Sequence, residues 1–370
     1  MSGLLRILVL PLGFCAVSGV AQTLVPSLVT PLSSALNETS GLLLWEGRLW
    51  TQLDSGNPPS LYAVDTSSGD TLRSVGTANA GNVDWEEITT DGTWCYIGDF
   101  GNNDGARMDL RIYRFPLVLL QDSTISSVTV DTIRFAYADQ TDFTPLPNAT
   151  NWDCEAMVAV DDSLFLFTKN WQNGQSYLYA LPAVPGDHLA QRRDTLDSQG
   201  MITGASLDPL VPALALCGYT SGLAPFLWRI TDFQGHDFFS GTAQRFPLAL
   251  PFTQVEGVAW NGVDTVLLSN ELFAFSPARL WRCALSVPTA LPDDPGPPEL
   301  QVILDTAQRT MLVTTLRSGV LSLIDAQGRT VLEQPVERGT RGVPWGDLVP
   351  GTYVLRLSGD TVLSRPVVLP

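Results

Sequence analysis

The sequence predicts an all-β protein, a five-bladed β-propeller followed by a small C-terminal β-sandwich. Three observations carry this. From residue 22 to about 285 no amphipathic helix is readable; short apolar or β-branched runs are bounded instead by Gly, Asp, Asn and Pro. Those runs recur as a unit of roughly 40–50 residues, the size of a propeller blade. Only 16% of the 370 residues are charged, while Pro (26) and Gly (31) are plentiful, a composition suited to many strands and turns.

The repeats begin at Ser40, Glu86, Glu155, Thr203 and Glu256, at spacings of 46, 69, 48 and 53 residues. The second copy is the clearest. Asp84-Trp85-Glu86-Glu87-Ile88 opens a strand, Trp94-Cys95-Tyr96-Ile97-Gly98-Asp99 returns, and Leu110-Arg111-Ile112-Tyr113-Arg114 follows. An outer fourth strand is readable at 71–75, 128–137 and 244–248, and the long second spacing fits a stretched outer strand plus a loop at 139–150. None follows the fifth repeat, so residues 24–29 are expected to supply it and close the ring, because open sheet edges are a liability. Six blades would need a degenerate copy in 121–150 or in the N-terminal segment. A two-sheet sandwich is the alternative that the repeat disfavours. Trp45, Trp50, Trp85, Trp152, Trp260 and Trp281 recur near strands and read as packing between blades.

The expected domains are a signal peptide (1–21), the propeller (22–286), a Pro-rich linker (287–299) and the sandwich (300–370). Arg6 precedes an apolar run over 7–17, and Gly19-Val20-Ala21 places small residues for cleavage before Gln22. Phe14 before Cys15 argues against lipidation. No later run reaches the length of about 18 apolar residues that a membrane-spanning helix needs. Four cysteines remain after the leader, Cys95, Cys154, Cys217 and Cys283, and both disulfides and buried thiols are open.

The net charge is −17, with pI about 4.4. Nucleic acid is thereby disfavoured as a partner, since phosphate binding needs a basic surface. Divalent cations, cationic ligands or simple solubility fit better.

The C-terminal 70 or so residues resemble the type A sorting domain of the type IX secretion pathway of some Gram-negative bacteria. The residues that carry this are Val320-Leu321-Ser322-Leu323-Ile324-Asp325, Gly328-Arg329-Thr330-Val331, Leu348-Val349-Pro350-Gly351-Thr352-Tyr353, and the terminal Arg365-Pro366-Val367-Val368-Leu369-Pro370. The resemblance implies the secretion machinery as a partner, transit across the outer membrane, and release or anchoring at the cell surface. The preceding region resembles a loosely defined group of uncharacterised secreted bacterial propellers. The shared residues are Trp85-Glu86-Glu87-Ile88 with Gly98-Asp99-Phe100-Gly101-Asn102-Asn103, Glu155-Ala156 with Thr168-Lys169, and Glu256-Gly257 with Ser269-Asn270-Glu271. That group implies no chemistry.

Chemistry is expected at one mouth of the channel. In each repeat the second strand returns beside the start of the first, pairing Glu86 with Asp99, Glu155 with Lys169, Glu256 with Asn270 and Ser40 with Asp54. Glu86, Asp99, Glu155, Glu256 and Asn270 are the expected metal ligands. All offer oxygen, which suits a hard ion such as calcium (Ca2+). Asp54, Asn102 and Lys169 are the expected ligand-binding residues. Lys169 is the only lysine in the chain and has two readings, an ion-pair partner of Glu155 or an electrophile or tuned base. Asp99-Phe100-Gly101-Asn102-Asn103-Asp104-Gly105 looks like an oxygen-rich calcium loop, but Leu110 stands where an EF-hand needs Glu. With only His188 and His236 and no Gly-x-Ser-x-Gly elbow, a serine triad is excluded.

Two functions follow as expectations. The first is a secreted or cell-surface binding protein for a small molecule, glycan or protein, with a calcium site in the channel. The second is a metal-dependent hydrolase, as in calcium-centred propellers of the gluconolactonase and paraoxonase type.

Overall fold

The computed structural model describes residues 22–250, 252–274, 276–285, 300–305, 308–325, 329–359 and 362–369. The expected signal peptide and linker lie outside the described residues. The chain divides into two compact units, one up to residue 285 and one from residue 300. Among the described residues there is no α-helix, only short 3-10 turns at Ser34–Leu36, Leu117–Leu120 and Phe238–Ser240.

Antiparallel meanders of four strands build the first unit. The first comprises Thr39–Trp45, Arg48–Leu53, Ser60–Val64 and Thr71–Thr77. The second comprises Trp85–Thr90, Trp94–Asp99, Arg111–Pro116 and Asp131–Tyr137. The third runs through Cys154–Val160, Ser163–Thr168, Ser176–Pro182 and Gly186–Leu196, and the fourth through Met201–Leu207, Ala213–Tyr219, Pro225–Thr231 and Thr242–Pro247. In the fifth, Val255–Trp260, Thr265–Asn270 and Arg279–Ala284 are completed by the N-terminal strand Ser27–Pro31. That strand lies antiparallel to Arg279–Ala284, with Ser27 opposite Arg282.

The arrangement is propeller-like. The first strand of each meander lies beside the first strand of the next, and Val255–Trp260 returns to Thr39–Trp45. The outer edges are less regular. Ser127–Val128 adds in parallel to the outer strand of the first meander. The outer strands of the second and third pair in parallel over Ile133–Tyr137 and Gly186–Ala190, fusing the two sheets.

Apolar side chains fill the space between consecutive meanders, one cluster per junction. Trp50 and Trp85 are buried between the first and second, and Phe167, Phe226 and Trp228 between the third and fourth. Trp260 and Leu268 lie between the fourth and fifth, and Leu42 and Leu280 between the fifth and first. Each fully buried aromatic contributes about 1.5–3 kcal/mol by leaving water. Cys95, Cys154, Cys217 and Cys283 are buried free thiols within this packing. Burial raises their pKa and makes them poor nucleophiles.

In all five meanders the pairing of the first two strands is interrupted at the repeat's starting residue. Register shifts fall between Thr39 and Leu42, Trp85 and Glu87, Cys154 and Ala156, Ile202 and Gly204, and Val255 and Gly257. Ser40, Glu86, Glu155, Thr203 and Glu256 are therefore bulge residues. A bulge re-aims a side chain that regular pleating would send into a sheet face.

The second unit has two antiparallel sheets around one core. One holds Leu300–Asp305, Thr310–Thr315 and Gly339–Pro344; the other holds Thr330–Val336, Gly319–Ile324, Gly351–Ser358 and Val362–Leu369. Met311, Val313, Leu321, Leu323, Trp345, Tyr353 and Leu355 are buried between them.

Candidate functional site

A cavity of about 400 Å³ opens where the meanders meet, and every meander contributes to it. The bulges supply Ser40, Glu86, Glu155 and Glu256, while the ends of the returning strands supply Asp54, Lys169 and Tyr219. Six carboxylates line it, Asp54, Glu86, Asp104, Glu155, Glu256 and Glu271, against the single ammonium of Lys169.

On one wall Lys169 Nζ lies 2.5 Å from Glu155 Oε1. It also sits over the rings of Trp171 and Tyr219, at 4.8 and 5.5 Å from their centroids. Burial would pull this ammonium down, but Glu155, then Tyr219, Glu256 and Asp153, hold its pKa well above the ordinary value. This geometry matches the ion-pair reading of Lys169 with Glu155. Asp153 organises this wall from behind. Its carboxylate accepts Trp171 Nε1–H at 2.8 Å and the Asn102 N–H at 2.7 Å.

Elsewhere on the lining are Asp54 and Glu86, with Asp84 next to them and the Arg107 guanidinium near Asp84. Asp54, Asp84 and Glu86 bring oxygens within 4.8 Å of one another, a triad able to hold a metal ion. Glu86 is 5% exposed, and no hydrogen bond from a described residue reaches its carboxylate. Burial, then Asp54, Glu155 and Asp84, raises its pKa well above the ordinary range. Burial with Asp54 and Asp153 pushes Asp84 to about 7. Also on the lining, Glu256 is pushed to about 8 and Glu271 to about 7, burial again the leading cause, with Asp54 adding to both. Gly101 leaves room for these carboxylates where they stand, since a Cβ there would displace Glu86 Oε1 and Asp84 Oδ2. The donor set fits a hard cation: it is all oxygen, it is acidic, and a side-chain-free position leaves it room.

Among the sequence-predicted residues, Asp54, Glu86, Glu155, Glu256 and Lys169 meet at the cavity. Asp99, Asn102 and Asn270 are not among its lining residues, and each is taken by protein partners. Asp99 is fully buried, paired with Arg107 at 3.0 Å and Arg111 at 3.7 Å. It also accepts the Asp84 N–H at 3.1 Å, so it holds the triad's backbone rather than an ion. Asn102 donates to Trp152 O and accepts from the Arg107 N–H. Asn270 donates to Glu271 O and Pro277 O and accepts from Trp281 Nε1. The short amide side chains that suggest ligand oxygens also satisfy loop backbone.

Asp84, Glu271, Trp171, Tyr219 and Glu87 escape the repeat-based reading. Asp84 had a signal, since in an extended chain it shares a side with Glu86 two residues on. Glu87 had none. One residue past each bulge, the repeats carry Gly41, Glu87, Ala156, Gly204 and Gly257. Four small residues surround one glutamate. Its carboxylate is fully buried and accepts the N–H of Ile88 at 3.0 Å and of Ala205 in the fourth meander at 2.8 Å. A Cβ at Gly41 would overlap it. Burial raises its pKa, opposed by backbone N–H groups of Ala205, Ile88 and Met157.

No family model matches this chain, and no curated protein matches it. Among solved structures it is similar to PorZ, described as an essential bacterial surface component of the type IX secretion system of Porphyromonas gingivalis. The identity is 12%, the match covers 89% of this chain and 44% of that one, and the TM-score is 0.33. It is also similar to Drosophila Semaphorin 1a, extracellular domains 1–2 (8% identity, 67% and 65% coverage, TM-score 0.35). A chain of the mitotic checkpoint complex gives 13% identity, 65% and 62% coverage and a TM-score of 0.32. The chain spans less than two thirds of each of these. All three TM-scores lie below 0.5, and the fold described above rests on this chain's own strand pairing.

Proposed function

We propose that this chain is an extracellular binding protein: a five-bladed β-propeller, exported through the type IX pathway by its C-terminal sandwich, that takes a calcium ion at Asp54, Asp84 and Glu86. Glu86 carries this reading. It is a buried carboxylate, facing a cavity, without a hydrogen bond from a described residue, and beside two more acids. Like charges gathered without a counter-ion raise one another's pKa and cost stability, and a divalent cation reverses both. An ion there would draw its protein oxygens from the triad and give the ligand site a positive centre. Five blades are supported by the closed succession of first strands and by the N-terminal strand completing the last meander. Export and surface location are supported by the Gly328-Arg329 and Leu348-x-x-Gly351-x-Tyr353 resemblance. The ligand is a small molecule, glycan or protein; a net charge of −17 opposes nucleic acid.

Calorimetric titration with calcium tests the site. The expected result is one site that Asp84→Asn and Glu86→Gln each weaken by more than about tenfold. A titration without heat, or one indifferent to both changes, removes the reading. Removing 300–370 should abolish display in a host that has the pathway; unchanged display would remove the export reading.

One observation favours a second reading, the metal-dependent hydrolase. Asp84 and Glu271 at about 7 and Glu256 at about 8 lie where a general base works at neutral pH. In a hydrolase, Glu256→Gln loses turnover of lactones or phosphoesters while the protein stays folded. In a binding protein there is no turnover to lose, and it changes only stability or ligand affinity.

A further inference from the structure

Beside the acidic cavity runs an apolar groove of about 530 Å³. Three loops form it, and each presents a non-glycine residue in the left-handed region: Leu223 (φ 57°), Phe252 (φ 57°) and Ala274 (φ 49°). Non-glycine residues rarely adopt that conformation, and where it persists the surroundings impose it. Phe252 is 71% exposed and Phe273 40%, over a wall that includes Trp281. Exposed aromatic groups clustered in a concavity mark a contact surface.

Groove and cavity are lined by neighbouring residues of the same two segments. Gln254 and Glu271 line the cavity, while Thr253 and Phe273 line the groove. The Glu271 N–H donates to Gln254 O at 3.3 Å and ties these two segments together. A ligand lying across these segments meets carboxylates on one side and aromatic rings on the other. Within the cavity Lys169 already shows which chemistry suits it, an ammonium held by a carboxylate and facing Trp171 and Tyr219. In the groove Arg279 is the cation among the described lining residues, stacked over Trp281 at 5.6 Å. It disfavours a second positive charge at that end.

We infer that the groove and cavity together bind a small amphiphilic monocation, an organic ammonium with an unbranched or aromatic apolar body. The head lies at Glu271 and Glu256, and the body lies along Phe252, Phe273 and Trp281. The combined volume is that of a drug-sized ligand. This extends the binding reading, since it takes the cavity as a ligand site, but its carboxylates, Glu256 and Glu271, are not members of the calcium triad.

The test is calorimetric titration of the full chain with tetramethylammonium, octyltrimethylammonium, octyl sulfate and a bis(trimethylammonium)octane. Octyltrimethylammonium is expected to bind about tenfold or more tightly than tetramethylammonium, the gain from burying an alkyl body. Octyl sulfate should not bind, and the dication should bind more weakly than the monocation. Phe252→Ala and Phe273→Ala should lower affinity for the octyl compound and leave tetramethylammonium unchanged, while Glu271→Gln should weaken both ammonium ions. Equal affinity for the two ammonium ions, binding of octyl sulfate, or indifference to both Phe changes overturns the inference. Calcium titration of the unaltered protein separates the two readings. Intact calcium binding with no binding of either ammonium ion overturns this one, and ammonium binding without calcium binding overturns the calcium site.

Discussion

On one wall of the cavity Glu155 is held by Lys169 at 2.5 Å, beneath Trp171 and Tyr219. On the other, Asp54, Asp84 and Glu86 come within 4.8 Å of one another, and among the described residues no ammonium or guanidinium is bonded to them. The pair comes from the bulge and the returning strand of one meander, whereas the triad takes Asp84 and Glu86 from the start of the second meander and Asp54 from the end of the first meander's returning strand. They differ in where the counter-charge comes from. The third meander gives its acid a bonded cation, fixed by aromatic rings, while the second commits its nearest guanidinium, Arg107, to Asp99 and leaves the triad without an ion pair among the described residues. The first wall is a finished electrostatic unit that belongs to stability. In the proposal the second is completed from solution, so it belongs to binding.

The largest effect expected comes from breaking the finished wall. Lys169→Met strands Glu155 as an unpaired buried acid and should cost about 3–5 kcal/mol in urea unfolding. A combined Lys169→Met, Glu155→Gln protein should recover most of it. A single-mutant loss under about 1 kcal/mol would show that the pair does not hold that wall.

The next sharpens the unfinished wall through pH. Asp84 and Glu271 sit at about 7 and Glu256 at about 8 when folded, against roughly 4 in an unfolded chain. The folded protein binds these protons more tightly. Their stabilisation is therefore complete below about pH 4 and is lost as pH rises towards about 8. In EDTA the melting temperature should fall between pH 5 and 8, and calcium should flatten or reverse that slope. A flat profile in EDTA would mean the acids are neutralised within the protein.

Asp99→Asn comes third, at about 1–3 kcal/mol, because Arg107 loses its buried anion. The asparagine oxygen can still accept the Asp84 N–H, so calcium binding should survive. Loss of the site in this variant, with the fold intact, would return Asp99 to the ligand set. The smallest effect is Glu86→Gln, which should raise the stability of the calcium-free protein by about 1 kcal/mol through relieved repulsion. It should also remove the calcium-dependent rise in melting temperature, a response opposite in sign to that of Lys169→Met.

The repeat was legible because each inner strand opens on Ser, Thr or Glu and then turns apolar. The five starting residues read from spacing are the five bulge residues, and residues from 24–29 do enter the strand that completes the fifth meander. The bulges were not legible, because a bulge is a relation between two strands and leaves no residue-type mark here. The outer strand Gly186–Leu196 is largely polar, and Gly339–Pro344 carries two glycines and a terminal proline, so neither has a strand's usual signature. Asn102 and Asn270 read as oxygen donors because sequence shows the donor and not the backbone groups that occupy it. Glu87 was invisible for a further reason: its partners, Gly41 and Ala205, come from other repeats.

The strand Ser27–Pro31 carries one more consequence, for the order of events in folding. Its partner Arg279–Ala284 lies some 250 positions later, as the Ser27–Arg282 contact shows. As a chain emerges N-terminus first, the earliest strand of this unit must stay unpaired until the last one is made. Contacts so distant along the chain slow folding and leave apolar edges open in the meantime. The same latch that completes the fifth meander therefore leaves that edge of the nascent chain unpaired until the unit's last strand is made.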